Sequence, residues 1–161
     1  MDAHRLVVVR HAKSAWPGGV PDVERPLNPR GRRDAPALGR WLRDRVGQLD
    51  AVLCSPATRT RQTWRLAAAE LPDAPAPVVD DRVYAATAEE LLDVVREHPG
   101  DLRSLLLVGH NPGVSDLVQA LTGEYVEMKT SAVAVLGVGC EWAELDLGRA
   151  TLVEHATPRG T

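Results

Sequence analysis

The stretch Arg-Leu-Val-Val-Val-Arg-His-Ala-Lys-Ser-Ala-Trp, residues 5–16, decides the fold. Its apolar run from Leu6 to Val9 is typical of a strand that is buried on both faces, as in the middle of a parallel sheet. The run ends in Arg10 and His11, which therefore lie at the carboxyl end of the strand, where open α/β sheets bind their ligands. A second interpretation is that these two residues only mark the point where the strand meets water.

Composition restricts the class of protein. The chain has 161 residues, of which 44% are hydrophobic and 25% charged, and we predict a single domain over residues 1–161. The net charge of −3 gives no general attraction to nucleic acid or to an anionic membrane. No apolar run approaches the ~20 residues that span a bilayer. Cys54 and Cys140 have neither disulfide-framework nor metal-site spacing, so we expect a cytoplasmic protein without metal or cofactor.

Strand and helix patterns alternate along the chain. Apolar runs predict further strands at residues 50–54, 78–79 and 104–108, and shorter β-like runs near the end at 131–138, 143–147 and 150–155. Four helices are predicted from apolar spacing and start signals, which are Asn28-Pro29, Ser55-Pro56, Thr87 with Glu90, and Asn111-Pro112. Pro36 predicts either a kink in the first helix or a regular helix that begins near Asp34. The alternation predicts an α/β fold, a three-layer α/β/α sandwich whose mostly parallel sheet has an antiparallel edge.

Three of the predicted strands end in chemically similar residues. Arg10 and His11 follow the first strand, Ser55 and then Arg59 follow the second, and His110 follows the strand at 104–108. The carboxyl ends of parallel strands lie along one sheet edge, so two histidines and two arginines can converge there. Guanidinium groups suit a tetrahedral oxyanion, and two helix N-termini would add N–H donors. The pattern therefore predicts a phosphate site that needs no metal.

A histidine in such a site can do more than bind. A neutral imidazole, with an ordinary pKa of ~6.5, is a nucleophile near neutral pH. It can attack phosphorus and hold the phosphoryl group covalently, which divides one difficult step into two. The arginines and the second histidine would then stabilise the charge of the transition state on the phosphoryl oxygens.

These three strand ends resemble the motifs of the histidine phosphatase superfamily. Arg-His-Ala at 10–12 is similar to its Arg-His-Gly hallmark, residues 55–63 to its Ser-Pro-x-x-Arg-x-x-x-Thr signature, and residues 108–112 to its strand that ends in Gly/Ser-His. The resemblance covers residues 5 to about 121 in the family's order. It implies the phosphoglycerate mutase-like fold and a metal-independent phosphatase with no cofactor. It also implies His11 as the nucleophile and places three residues around the phosphate, namely Arg10, Arg59 and His110.

Within the superfamily the chain is most similar to SixA-type phosphohistidine phosphatases. The short length, Arg-His-Ala-Lys-Ser at 10–14, Asp-Val-Glu-Arg-Pro-Leu at 22–27 and Thr-Ser-Ala at 130–132 carry that likeness. It implies a phosphorylated substrate, with a phosphohistidine-bearing signalling protein as the candidate. The expected substrate-binding residues are Arg25, Asp22, Ser14 and Asn111. A second interpretation of Asp22 and Arg25 is a local ion pair that orders the loop over residues 12–28.

Two departures from the family pattern affect the chemistry. Ala12 replaces the usual glycine, so a methyl group is expected near the phosphate. No general acid is evident, and the candidates are Asp22, Asp81, Glu89 or none, because the capping box already explains Glu90. An alkoxide leaving group needs a proton from an acid, whereas an imidazole or a phosphate anhydride leaves more easily. The missing acid therefore favours phosphohistidine or a phosphoanhydride as substrate.

Two other functions remain open at the sequence level. One is a broad-specificity small-molecule or nucleotide phosphatase of the same superfamily. The other is a non-catalytic phosphate or nucleic-acid binding module, for which the chain offers a basic group of helix residues, namely Arg30, Arg32, Arg33, Arg40, Arg43 and Arg45. Thin aromatic content and negative net charge argue against nucleic acid as a partner. We expect no membrane partner and a monomer or weak dimer, and predict three surface histidines, His4, His98 and His155.

Overall fold

The structure, a computed structural model, describes residues 4–161. Its six strands are β1 His4–Arg10, β2 Ala51–Cys54, β3 Pro77–Val79, β4 Ser104–Gly109, β5 Val133–Val138 and β6 Ala150–Ala156. Its four α-helices are α1 Pro29–Arg45, α2 Thr58–Ala68, α3 Ala88–Arg96 and α4 Gly113–Thr122. Three short 3-10 helices lie at Asp22–Glu24, Asp81–Val83 and Trp142–Glu144.

All six strands form one sheet in the order β3-β2-β4-β1-β5-β6. The first four strands of that order pair in parallel, and β5 pairs antiparallel with both β1 and β6. The predicted class, a mostly parallel α/β sheet with an antiparallel edge, is confirmed. Strand β1 lies inside the sheet between β4 and β5, which explains why its sequence is apolar on both faces.

Alternate residues of β1 enter two separate cores. Leu6 and Val8 pack in a core with residues of α3 and α4, whereas Val7 and Val9 pack in a core with residues of α1 and α2. All four side chains are completely buried. Helices therefore cover both faces of the sheet, and the carboxyl ends of its parallel strands remain at one edge between the helical layers.

Helix α1 continues through Pro36, so the prediction of a regular helix that begins only near Asp34 is wrong. The Asn28 side chain caps the helix by accepting a hydrogen bond from the Gly31 N–H at 2.8 Å. The fully buried Asp34 carboxylate is within 3.0 Å of Arg30 in the turn before. These contacts hold the first two turns in helical form ahead of the proline.

Two predicted helix starts are displaced along the chain. Helix α2 has Ala57 rather than Ser55 at its N-cap, and α4 has Pro112 rather than Asn111. Ser55 is used elsewhere, because its hydroxyl contacts His110. The third start is confirmed, since Thr87 forms a complete capping box with its glutamate.

Two predictions near the chain ends are corrected. Residues 143–147 are not a strand, because the backbone forms a 3-10 turn that buries Trp142 and lets its indole N–H donate to the Leu102 carbonyl at 2.7 Å. His4 is a buried residue, not a surface one: its Nε2 lies 2.7 Å from the Gly100 carbonyl and its ring packs on Trp142. His155 is exposed, as predicted, and His98 is half-buried.

The loop at 12–28 folds back on itself. Ser14 forms an antiparallel bridge with Leu27, and the Asn28 N–H donates to the Lys13 carbonyl at 3.0 Å. Gly31 lets the loop approach α1 closely, since a Cβ there would lie 2.1 Å from the Lys13 oxygen. The loop is thereby anchored beside the carboxyl end of β1.

Candidate active site

Strand register brings the two predicted histidines together. Arg10 of β1 stands opposite Gly109 of β4, so the residues that follow, His11 and His110, leave the sheet side by side. Their ring centroids are 5.2 Å apart. The parallel pairing of β2 with β4 places Ser55 at the same edge. Convergence of these strand ends is what the sequence predicted.

A cavity of about 250 Å³ opens between these strand ends, and we call it the inner cavity. Its charged and titratable lining includes His11, His110, Arg10, Arg25 and Arg59. Arg59 comes from the first turn of α2 and is 5% exposed. The Nε atoms of Arg10 and Arg59 are buried and have no hydrogen-bond partner within residues 4–161. The inner cavity therefore offers cationic donors to an oxyanion.

His11 is held as a neutral imidazole. The ring is 6% exposed, and its Nδ1 lies 2.7 Å from the Ala12 carbonyl, so Nδ1 carries the proton and donates it there. The pKa of His11 is lowered to about 3, chiefly by burial; the hydrogen bond to the Ala12 carbonyl opposes this shift, and the nearby His110, Arg59 and Arg10 charges add to it. Nε2 consequently keeps its lone pair, which is the form that a nucleophile needs.

His110 is oriented by Ser55. The Ser55 hydroxyl oxygen accepts from the Ala57 N–H and lies 2.7 Å from His110 Nε2, so its own hydrogen is available for Nε2. That assignment leaves the His110 proton on Nδ1, which is buried without a partner in the described chain. Burial, followed by the Arg59 charge, lowers the pKa of His110 to about 4. Neutral His110 can thus donate one hydrogen bond to an oxyanion.

Asp22 joins the loop to the site. Its carboxylate accepts hydrogen bonds from Tyr84 Oη, from Arg25 Nε at 3.0 Å and from Arg59 at 3.0 Å. The Tyr84 hydrogen bond is the largest single cause that holds the pKa of Asp22 well below its usual range, and Arg25 and Arg59 lower it further. Asp22 is therefore ionised, and in this arrangement it is no proton donor. The local ion pair with Arg25 exists, but the carboxylate also reaches Arg59.

Arg25 and Ser14 lie at the mouth of the inner cavity. Arg25 is buried, donates to the Ser14 hydroxyl at 2.8 Å and to the Ala15 carbonyl at 3.0 Å, and stacks 3.5 Å from the ring centroid of Trp16. Trp16 itself is 79% exposed. The rim of the inner cavity therefore carries an accessible aromatic surface.

Asn111 and Ala12 have structural contacts of their own. Asn111 lines the inner cavity, but its amide donates to the Met128 carbonyl at 2.8 Å and its oxygen accepts from Ser115 Oγ at 2.6 Å. The Ala12 methyl packs in a buried cluster with Leu27 and Ala35. It is not among the lining of the inner cavity. Replacement of the family glycine thus adds no methyl to the inner cavity.

The other candidates for a general acid lie elsewhere. Glu89 lines a separate depression with Asp93 and Arg96, and Asp81 lies in an exposed 3-10 turn and does not line the inner cavity. Glu90 accepts from the Thr87 N–H in the capping box. Among the acidic residues that the sequence suggested, only Asp22 reaches the site.

Tyr84 is the site residue that the sequence analysis missed. It follows the 3-10 turn at 81–83, meets His110 edge-on at 5.5 Å and lines a second cavity of about 460 Å³, which we call the outer cavity. The remainder of the outer cavity includes Asp22, Ala86, Gly113 and Asp116. A lone tyrosine in a loop gives no sequence signal of this position, because only the fold brings residue 84 to the strand ends.

Helix α4 contributes less to the site than predicted. Three of the first N–H groups of α4 are already engaged, since Val114 and Asp116 bond to the His110 and Pro112 carbonyls and Ser115 bonds to the Asn111 side chain. Most of the basic residues on α1 are also engaged within the chain, in pairs that join Arg30 to Asp34, Arg40 to Glu70, Arg43 to Asp44 and Arg45 to Glu154. The structure therefore offers little support for a nucleic-acid surface on α1.

Residues 4–161 contain neither a membrane-spanning helix nor a cluster of metal-ligating side chains. None of the helices in this range combines the length and the apolar character needed to cross a membrane. The same range contains no group of three or more His, Cys, Asp or Glu residues that could hold a metal ion.

Comparison with known proteins agrees with this geometry. Residues 6–85 match the histidine phosphatase superfamily, branch 1. The uncharacterized protein Rv1276c of Mycobacterium tuberculosis is 41% identical over 94% of this chain and 100% of its own length. A Nakamurella multipartitia protein proposed to be the phosphohistidine phosphatase SixA is 30% identical, with a TM-score of 0.88 over 96% of both chains.

The fold alone is supported by a further solved structure. The protein histidine phosphatase SixA complexed with tungstate has a TM-score of 0.83 over 96% of this chain and 97% of that one, at 23% identity. Sequence relatives, fold and convergent strand ends lead to one assignment: the chain belongs to the histidine phosphatase superfamily, is of SixA type within it, and is a phosphatase.

Proposed function

We propose that this phosphatase works through a covalent phosphohistidine on His11 and that its substrate is a protein phosphohistidine. The observation that carries the proposal is the pair of neutral imidazoles, 5.2 Å apart, in one cavity with Arg10 and Arg59. In this proposal His11 Nε2 attacks phosphorus. Arg10, Arg59 and the Nδ1–H of His110 stabilise the phosphoryl oxygens, and water then hydrolyses the phosphoenzyme.

The lack of a protonated acid supports a nitrogen leaving group. Asp22 is ionised and already accepts three hydrogen bonds, while Asp81 and Glu89 lie outside both cavities. An alkyl ester would need a proton donor for its alkoxide, but an imidazole that is protonated on its second nitrogen leaves without one. The exposed Trp16 at the rim supports a protein as substrate, because its ring offers a protein surface contact area beyond the inner cavity.

The first test concerns the nucleophile. His11→Ala should lower kcat for a chromogenic aryl phosphate at least about 10³-fold in the presence of a chelator, because it removes the attacking group. The matched control is His155→Ala, an exposed histidine on β6, which should keep wild-type kinetics. A phosphoenzyme trapped by denaturation should be acid-labile, base-stable and absent from His11→Ala. A base-labile adduct, or turnover retained in His11→Ala, would contradict the proposed mechanism.

The second part of the test concerns the substrate. We expect kcat/KM for a phosphohistidine peptide to exceed that for the matched phosphoserine peptide by at least about 10²-fold, the usual contribution of a general acid that the alkyl ester lacks here. Equal use of both peptides would favour the broad-specificity alternative. Tungstate, the anion bound by the SixA protein of similar fold, should compete with either substrate.

A further inference from the structure

The outer cavity adjoins the inner cavity on the side away from the nucleophile. The two share Arg59, His110 and Asn111 as lining residues, whereas His11 lines only the inner cavity. In phosphoryl transfer the attacking and leaving atoms lie roughly in line with phosphorus between them. A phosphoryl group held by Arg59 and His110 and attacked by His11 therefore has its leaving group on the side of the outer cavity.

The walls of the outer cavity carry two carboxylates. Asp22 is one, kept ionised by Tyr84, Arg25 and Arg59. Asp116 is the other, exposed in the first turn of α4, and no hydrogen bond or ion pair involves its side chain within the described residues. Apart from the shared Arg59 and His110, the lining contains no basic side chain. A cation in the outer cavity would thus meet the Asp116 carboxylate, which has no other partner in the described chain, beside the already paired Asp22.

Part of the outer cavity is lined by small, apolar and aromatic groups, which are suited to contact with a ring. Small and apolar residues line part of it, namely Ala85, Ala86, Pro112 and Gly113, and the half-buried ring of Tyr84 stands beside them. Close packing fixes this wall, since a Cβ on Gly113 would lie 2.4 Å from the Ala86 oxygen. The N–H groups of Val114 and Asp116 already bond to carbonyls and are not available to an anion.

We infer that the outer cavity is the leaving-group site and that Asp116, with Asp22, selects leaving groups that are cationic, above all a phosphohistidine ring with basic neighbours in its peptide. This inference rests on the proposed function. Carboxylates near the substrate ring favour its protonated form, with one nitrogen bonded to phosphorus and the other bonded to hydrogen. Anionic leaving groups, such as phosphorylated or carboxylated metabolites, are repelled by the same wall.

The step balances without an acid from the enzyme. The Nε2 lone pair of His11 forms the new P–N bond, and the P–N bond of the substrate breaks with its electron pair returning to the substrate nitrogen. Because the other ring nitrogen is already protonated, the substrate leaves as neutral imidazole. Hydrolysis of the His11 adduct then releases inorganic phosphate and regenerates the enzyme.

A charge-reversal experiment tests the inference. Two phosphohistidine peptides, one with lysines and one with glutamates beside the phosphohistidine, are compared at low salt on the wild type, on Asp116→Lys and on the control Asp101→Lys. Asp101 is an exposed acid in the turn before β4, outside both cavities. We expect the wild type to prefer the lysine peptide by at least about fivefold in kcat/KM, the effect of one pair of unit charges in contact near water.

In Asp116→Lys that preference should disappear or reverse, and in Asp101→Lys it should persist. Asp116→Asn should give an intermediate preference, which keeps the test valid if the lysine variant folds poorly. Equal use of both peptides by the wild type, or an unchanged preference in both Asp116 variants, would overturn the inference while the phosphohistidine phosphatase activity stands. If wild type hydrolyses neither peptide but does hydrolyse the aryl phosphate, the proposed substrate is wrong.

Discussion

At the scale of single residues, the two histidines differ because their partners differ. His11 donates from Nδ1 to the Ala12 carbonyl, whereas His110 accepts at Nε2 from Ser55. These contacts leave opposite groups free, a lone pair on His11 and an N–H on His110. One imidazole is thereby prepared to attack phosphorus, and the other is prepared to donate a hydrogen bond to a phosphoryl oxygen.

Both imidazoles should stay neutral far below the pH at which an exposed histidine is protonated. Burial lowers the pKa of His11 to about 3 and that of His110 to about 4. Titration followed by NMR of the ring protons in the phosphate-free protein should give midpoints below pH 5 for both imidazoles. A midpoint near 6.5 for His11 or His110 would contradict the burial seen here.

The same shifts affect stability with a definite sign. Between about pH 6.5 and the folded-state values the unfolded chain binds more protons than the folded chain at His11 and His110. The free energy of unfolding therefore decreases as the pH falls through this window. In this pH window, the free energy of unfolding of His11→Ala should decrease less steeply than that of the wild type.

At the scale of elements, the site depends on how closely α4 approaches the loop after the 3-10 turn at 81–83. Gly113 in the first turn of α4 faces the Ala86 carbonyl, and Leu91 of α3 packs beside it. This contact fixes the position of Tyr84 and Thr87 relative to His110. Packing of α4 against this loop and α3 therefore fixes the wall of the outer cavity. The reacting groups come from the strand ends.

Gly113→Ala tests that contact. Alanine favours a helix over glycine by up to ~1 kcal/mol, but the added methyl would lie 2.4 Å from a backbone oxygen, and overpacking typically costs ~1–3 kcal/mol. We expect a lower free energy of unfolding in urea and a lower kcat/KM for the phosphohistidine peptide. The control is Gly18→Ala, where nothing lies within 4 Å of the new methyl. Unchanged stability and kinetics in Gly113→Ala would show that the loop yields freely.

At the scale of the whole molecule, a buried carboxylate joins distant parts of the chain. Asp34 of α1 is completely buried and accepts from Arg30, from Arg159 at 2.9 Å and from the Gly160 N–H at 2.9 Å. Arg159 also donates to the Thr130 carbonyl, close to the turn that precedes β5. Residues separated by more than a hundred positions thus hold α1 beside the antiparallel edge.

Arg159→Ala should weaken this connection. It leaves the Asp34 carboxylate buried with one cationic partner fewer, and hydrogen bonds to charged groups typically contribute ~1.5–3 kcal/mol. The free energy of unfolding from urea denaturation should fall by about that amount. Arg149→Ala, which changes an exposed arginine before β6, should stay within ~0.5 kcal/mol of the wild type. Equal losses in both variants would assign the effect to surface charge in general.

Much of the architecture was accessible from local sequence, and the exceptions have physical causes. Buried strands such as Leu6–Val9 can be predicted from sequence, because a strand that is covered on both faces is apolar throughout and shows no alternation with polar residues. Thr87 and Glu90 form the predicted capping box because every contact in it is local. The predictions for His4 and for residues 143–147 were wrong because parts of the chain that are distant in sequence set the environments of these residues. Those environments are the Gly100 carbonyl for His4 and the buried site of Trp142 for residues 143–147.

The sequence by itself determined the class of fold, the order of its elements and the convergence of His11, His110, Arg10 and Arg59, because parallel strands end at a common edge. Only the tertiary structure decided which nitrogen of each histidine is free, that Asp22 reaches Arg59, and that Tyr84 and Asp116 form a second cavity. Side-chain partners and cavities arise where separate elements meet at distances of a few ångströms. Periodicity and spacing along a chain do not specify which side chains meet at such distances.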